Sequence, residues 1–412
     1  MTTLKSPELA INGGTPVRTK PFPTWPVWDD GDAQAVADAL RSGKWGIGGG
    51  AVEEFEKEFA EFQQAKYCSC LVNGTAAIEV ALRAVGVEAG DEIIVPPYTF
   101  IATASACLMV NTVPVFVDIE PDTYNLDPTK IEAAITDRTR AVIAVHIAGC
   151  PADMDGIMAI AKKHNLKVIE DCAQAHAAEW RGRRVGAIGD LGTFSFQSSK
   201  NLNSGEGGAC VTDNEEIFHR CWSLQNVGRA RSGQWYEHPV LGWNYRMTQF
   251  QGALLRSQLQ RVPAQTERRT ANAAHLTERL NQIDGISPMR VDERVTRHAY
   301  HLYMFRYDAS AFNGLPREDF IKALNAEGIT CSSGYVPLYK ELAFRNCDVY
   351  SAAFKLASRE VDYDKVSCPV CEKACADEAV WLYQAWLIGE DHGDVDDIAN
   401  AIEKIHAAAA AK

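Results

Sequence analysis

Hydrophobic positions along the chain follow two alternating spacings. Over residues 52–62 they recur every three to four places, at Val52, Phe55, Phe59 and Phe62, which predicts a helix with one buried face. Short apolar runs then follow at intervals. Tyr67 to Val72, Glu92-Ile93-Ile94-Val95, Val115-Phe116-Val117-Asp118, Ala141 to Val145, Val168-Ile169-Glu170 and Thr193 to Phe196 read as strands. Helical spacing fills the gaps, for example over Thr75 to Val85. Strands that alternate with helices, and that are apolar on both faces, predict an α/β fold with a mostly parallel sheet between helix layers. In such a fold, ligands collect at the carboxyl ends of the strands.

Beyond Met247 the pattern changes. Met247 to Arg261 and Ala271 to Ile283 read as helices, His301 to Tyr307 as a strand, and Pro316 to Glu327 as a helix with proline in its first turn and Gly328 at its end. Ile329 to Ser332 reads as another strand, and Ala376 to Leu382 as an amphipathic helix. The tail from His406 to Lys412 is a helix end. The expected organisation is a large domain over residues 1–258, including an N-terminal arm, and a smaller α+β domain over 259–412. The chain's 412 residues are enough for two such cores.

Composition removes some function classes. A formal net charge of -13 argues against nonspecific nucleic-acid binding, which needs a basic surface. No stretch is apolar enough to span a bilayer, and the first residues lack the apolar core of a signal peptide, so a cytoplasmic location is expected. The 12 cysteines are scattered through apparent strands and helices, which suits small buried side chains better than disulfides. Cys368, Cys371 and Cys375 have a spacing close to that of a metal site. Only three thiols are local, however, so no metal is predicted.

The candidate chemistry centres on Lys200, which follows a short apolar strand and precedes a glycine-rich turn at Gly205 to Gly208. About thirty residues earlier, the run Leu166 to Glu170 ends in Asp171. A lysine beyond one strand and an acid at the end of another suggest a pyridoxal phosphate (PLP) site. Lys200 would form the Schiff base, and Asp171 would keep the pyridine nitrogen protonated by a charge-assisted hydrogen bond. Asn73-Gly74-Thr75-Ala76 lies between a strand and a helix. It suits a phosphate on the helix N-terminus, or equally an ordinary cap by Asn73 or Thr75. Gln174 has the reach for the cofactor's phenolic oxygen, and Ser195 for its phosphate. Phe100 would stack on the ring or pack in the core. His176 reads best as a buried polar residue.

These segments resemble the DegT/DnrJ/StrS group of PLP-dependent sugar and cyclitol aminotransferases. The resemblance rests on Asn73-Gly74-Thr75-Ala76, Glu170-Asp171-Cys172-Ala173-Gln174-Ala175-His176, Phe194-Ser195-Phe196-Gln197-Ser198-Ser199-Lys200 and Leu241-Gly242-Trp243-Asn244-Tyr245-Arg246-Met247-Thr248. It implies the fold-type I aspartate aminotransferase architecture. It also implies PLP held by Gly74, Thr75, Phe100, Asp171, Gln174, Ser195 and Lys200, with Lys200 and Asp171 catalytic. Asn244 would reach the phosphate of a neighbouring subunit's cofactor, which implies a homodimer with shared sites. The reaction implied runs in two halves through pyridoxamine phosphate, from glutamine or glutamate to a keto-sugar or a cyclitol ketone such as a scyllo-inosose. Gln197, the run Asn203 to Gly208, and Gly334 to Tyr339 look closer to cyclitol-ketone aminotransferases and aminohydroxybenzoate synthases than to nucleotide-sugar members. Aminobenzoate formation with loss of water and nucleotide-sugar amination are therefore the alternatives. A noncatalytic protein on the same fold is disfavoured by the intact Lys200, Asp171 and Ser195. Tyr335 and Tyr339, with Trp45 and Arg229, are candidates for substrate selectivity or for dimer packing.

Overall fold

The computed structural model describes residues 6–234, 236–345, 351–357 and 361–410. Residues 1–5 and 411–412, which hold the start of the chain and the end of the tail, lie outside the described residues. The strand series builds one sheet from β1 (Tyr67–Leu71), β2 (Glu92–Val95), β3 (Val113–Phe116), β4 (Thr139–Val145) and β5 (Lys167–Asp171). After a hairpin of β6 (Glu179–Trp180) and β7 (Arg183–Arg184), it is completed by β8 (Leu191–Ser195) and β9 (Gly208–Thr212). The strand order is β1-β9-β8-β5-β4-β2-β3. Neighbours are parallel except at β9, which runs antiparallel to both β1 and β8.

Strand alternation explains the two helix layers. Ile93, Val95, Ala141, Ile143, Val145 and Ile169 face one core, shared with the helices α3 (Gly74–Ala84) and α4 (Ala102–Met109) that follow α1 (Asp30–Arg41) and α2 (Ala51–Phe62). Ile94, Val142, Ala144, Val168 and Phe194 face the other core, where Phe55 and Phe59 of α2 pack edge-on against Phe194 and Phe196. The expected strand at Val115 to Asp118 ends two residues early. Asp118 instead accepts the amides of Val370 and Cys371, capping the short helix Pro369–Lys373.

Two departures from the sequence reading matter. The strand β9 was unexpected: Gly205 to Gly208 read as a turn, and the strand begins on its last residue. The expected helix at Ala376 to Leu382 is also wrong. A wide helical turn, Ala374–Glu378, stops there, and β14 (Ala379–Tyr383) follows. It pairs with β12 (Leu302–Tyr307) and β13 (Cys331–Ser332) in a sheet ordered β10-β12-β14-β13, where β10 is Ile286–Pro288. Arg317 accounts for the stop by donating to the carbonyls of Ala374, Cys375 and Ala379, which closes the turn. A third, smaller sheet joins β11 (Val295–Arg297) to the β6–β7 hairpin.

The packing crosses the expected boundary between residues 258 and 259 in both directions. Near the N-terminus, Leu9 sits in the C-terminal core, and Arg18 pairs with Asp394 at 2.9 Å and Asp397 at 2.8 Å. Conversely, Leu338, Tyr339, Phe344 and Cys371 complete the core beneath α3 and α4. The described cysteines are all free thiols, buried except for the partly buried Cys375. Among the described residues, no helix is long and apolar enough to cross a membrane.

The buried Glu170 organises the sheet end from the side opposite Asp171. Its carboxylate accepts the amides of Gly186, Ile188 and Gly189 at 2.7–2.8 Å and meets His146 Nε2 at 3.1 Å. His146 Nδ1 accepts from the Ala152 amide, so Nε2 carries the proton and donates to Glu170. Both ring nitrogens are thus committed, and although Cys172 lies close by, the trio has no free imidazole lone pair for a metal. Burial opposes ionisation of Glu170, but His146 and the backbone donors outweigh it and hold the carboxyl below its usual 4.5. The resulting stabilisation is present above the unfolded value of 4.5 and is lost as the pH falls through the lower folded value. Glu170→Ala, which strands four donors, should cost about 3–5 kcal/mol at neutral pH in chemical denaturation. A cost below about 1 kcal/mol would refute this account of the network.

Candidate active site

Three backbones converge where β1, β5 and β8 end. Because β9 runs backwards, its first residue, Gly208, arrives at the same edge. A Cβ on Gly208 would lie 2.4 Å from the Asn73 carbonyl oxygen, and one on Gly74 would lie 2.7 Å from Ser195 Cβ. Only glycine at these two positions allows the start of α3 to settle against the ends of β8 and β9. Asn73 is the helix cap, accepting the Ala76 amide at 2.8 Å. Gly74 and Thr75 line the adjoining cavity together with Ser195. The capping role thus falls to Asn73, which leaves Gly74 and Thr75 facing the cavity.

The cavity has a volume of about 670 Å³. Asp171 and Ser195 occupy its strand-end floor, and Thr99 and Phe100 one wall. Residues from the C-terminal part of the chain, including His301, Ser332, Tyr335, Trp381 and Gln384, form another wall. Lys200 enters from the loop between β8 and β9. That loop is closed by its own backbone: Phe196 donates to Gly207, Ser204 to Phe196 and Ser198 to Gly205, at 2.7–2.9 Å.

Each predicted group has defined support. Asp171 Oδ2 accepts from Thr103 Oγ1 at 2.8 Å, and Oδ1 from the Ala173 amide at 3.1 Å. With its proton committed to Asp171, Thr103 Oγ1 accepts from Thr99 Oγ1 at 3.0 Å. Gln174 Oε1 is anchored by the Ala148 amide at 2.6 Å, which turns Nε2 towards the cavity, where it donates to the Tyr335 hydroxyl at 3.0 Å. Burial pushes the Lys200 amine down to about 8, with the charge of Asp171 working against that shift. Phe100 is 58% exposed at the cavity rim, which excludes the core-packing alternative. His176 is buried against Phe194 and Phe196, and burial pushes it down to about 3, so it is a neutral interior residue.

Two predicted residues do not join this cavity. Asn244 is exposed, with its backbone bridged to Asn226, and is absent from the lining. Tyr339 is a correction. It is buried against Phe116, donates to Glu372 Oε1 at 2.6 Å, and accepts the Cys368 amide at 3.1 Å, so it has no face to offer a substrate. Trp45 and Arg229 also lie outside the lining. Sequence reasoning missed Thr103, His301, Ser332, Trp381 and Gln384. Thr103 carries a weak signal, lying one helical turn after Thr99; the others come from distant segments with no local signal.

The chain matches the DegT/DnrJ/EryC1/StrS aminotransferase family over residues 27–382. It belongs to this family. The family relationship makes the chain an aminotransferase and the cavity its candidate active site. It is 41% identical to a protein of Micromonospora echinospora provisionally named L-glutamine:3-amino-2,3-dideoxy-scyllo-inosose aminotransferase, with 97% of each chain covered. It is 39% identical to the L-glutamine:2-deoxy-scyllo-inosose aminotransferase of Streptoalloteichus tenebrarius, again with 97% of each covered. Among solved structures it resembles 3-amino-5-hydroxybenzoic acid synthase, with a TM-score of 0.85, 33% identity, and coverage of 96% of this chain and 100% of that one.

Two measurements check this geometry. In cofactor-free aminotransferase, acylation of Lys200 followed by peptide mass spectrometry should show a reactivity midpoint near pH 8, against 10.5 for an ordinary lysine. Asp171→Asn should move that midpoint lower still, since the carboxylate favours the ammonium form. Tyr339→Phe should cost about 1–2 kcal/mol of stability while changing kcat/KM for either substrate less than about twofold.

Proposed function

We propose that this aminotransferase binds PLP in the Lys200 cavity and moves an amino group from glutamine to a scyllo-inosose-type cyclitol ketone. The observation that carries this reading is the convergence on one cavity of a buried amine, a carboxylate, an amide donor and a helix N-terminus. The residues fit the group. The α3 N-terminus at Gly74 and Thr75, with the Ser195 hydroxyl, suits a phosphate; the glycine cradle at Gly74 would be filled by any Cβ. Asp171, fixed by Thr103 and Ala173, suits a protonated ring nitrogen. Gln174 Nε2 suits an anionic ring oxygen, and Phe100 the open ring face.

When bound, PLP supplies a conjugated ring that takes up the electron pair left when a proton leaves the carbon bearing the nitrogen. Lys200 has two tasks. It would anchor the cofactor through Nζ, and once displaced it would move a proton from the donor's α-carbon to the cofactor's C4′ carbon, then from C4′ to the acceptor's carbon in the second half-reaction. An amine whose affinity for protons is lowered by burial is suited to both. Asp171, rigidly held, stabilises the charge that spreads into the ring.

The lining contributed by this chain supports that acceptor class. Among the described lining residues, Lys200 is the lone lysine and no arginine occurs; hydroxyl, amide and indole groups predominate. That lining suits an uncharged polyol better than a nucleotide diphosphate, which calls for cationic groups. The names of the two scyllo-inosose relatives support the same choice of donor and acceptor. A homodimer sharing two sites is part of the proposal. Its support is the exposed apolar stretch around Tyr236 and Leu241, the latter 98% exposed, which leads directly to Asn244.

The test is product analysis. Incubation of the PLP-loaded protein with glutamine and 2-deoxy-scyllo-inosose should give a product with one amine in place of the ketone oxygen and every hydroxyl retained. Loss of water would identify an aminobenzoate-forming reaction instead, and turnover restricted to nucleotide-linked ketosugars would overturn the cyclitol reading. Lys200→Ala should lose the visible absorbance of the lysine-linked cofactor and at least about 10³-fold in turnover.

A further inference from the structure

Arg269 stands out among the charged residues of the interior. It lies in the helix Val262–Leu280 with a relative exposure of 0%, and none of its three guanidinium nitrogens meets a protein acceptor. Its guanidinium carbon stands 5.0 Å from the centre of the Trp25 ring, and the Trp25 indole N–H is likewise buried without a protein acceptor. Its charge acts on two buried histidines, His176 and His301. His301 lines the Lys200 cavity, and its Nδ1 also has no protein partner.

A buried cation without a counter-charge costs several kcal/mol. Lysine or histidine can relieve that cost by losing a proton. Burial pushes Arg269 down only to about 9, so it stays cationic at neutral pH. The two histidines, whose protonation burial disfavours, offer no negative charge in compensation. The group consists of donors: five guanidinium N–H bonds, one indole N–H, and an imidazole nitrogen free to carry a proton. A ligand that only accepts hydrogen bonds and carries negative charge meets what the guanidinium lacks, since no protein acceptor reaches its nitrogens.

We propose that the Arg269 guanidinium, stacked over the Trp25 ring, is a buried binding site for a small inorganic anion of the halide class. The site is independent of the amination reading, because it is made by residues outside the cofactor cradle and its occupant is not a substrate. It supplies the counter-charge that allows a guanidinium to sit in the interior over the Trp25 ring.

The test uses the PLP-loaded protein crystallised with bromide as the only halide. Diffraction at the bromine absorption edge should give an anomalous peak within hydrogen-bond reach of the Arg269 guanidinium. In solution, replacing gluconate by chloride at constant ionic strength should raise Tm by about 1–3 °C. Arg269→Met should abolish that rise. Should that variant not fold, Arg269→Lys, which keeps a cation but loses the fork of donors, should show a reduced rise. No anomalous peak at Arg269, only water or carbonyl oxygens on its nitrogens, or an equal chloride response in the variant would overturn the proposal.

Discussion

The close approach of three backbones at the carboxyl edge of the sheet governs this structure. Gly74 lies against Ser195, and Gly208 against Asn73, at distances that leave no room for a side chain. That contact brings the first turn of α3 against the ends of β8 and β9. The positive end of the helix and the Ser195 hydroxyl then share one cavity, and the loop bearing Lys200 leaves from the same point. The contact depends on the reversed direction of β9, since a parallel strand there would begin at the far edge of the sheet.

Strand parity divides the remaining labour. Glu170 and Asp171 are adjacent in sequence yet point to opposite sides of β5. Glu170 is consumed by three backbone amides and His146, which fix the loop at Gly186 to Gly189. Asp171 receives only Thr103 and one amide, and it keeps a face to the cavity. The burial that lowers the proton affinity of Lys200 is the same burial that makes Arg269 expensive. Asp171 lies beside the lysine and favours its charge, whereas no protein acceptor reaches the nitrogens of the arginine.

Much of the large sheet was legible because its strands are buried on both faces and read as unbroken apolar runs. Position along those runs also placed Asp171, Ser195 and Lys200 at one end of the sheet. The strand β14 was illegible for a related reason: five apolar residues of that length fit a buried helix turn as well as a strand, and only pairing with β12 and β13 decides. Tyr339 shows the limit of reading single residues. An aromatic four places from Tyr335 invited the same role, yet its hydroxyl is spent on Glu372 and Cys368.

The sequence by itself determined the parallel α/β plan, the lysine–acid pairing and the family, because these depend on hydrophobic spacing and on short contiguous segments. Tertiary structure alone decided which distant residues close the cavity: His301, Trp381 and Gln384 reach it from segments a hundred or more residues beyond Lys200. It also decided that β9 runs backwards, that Tyr339 is structural and that Arg269 lacks a protein partner. These are properties of packing between segments far apart in the chain, and no local pattern of side chains encodes the distance between them.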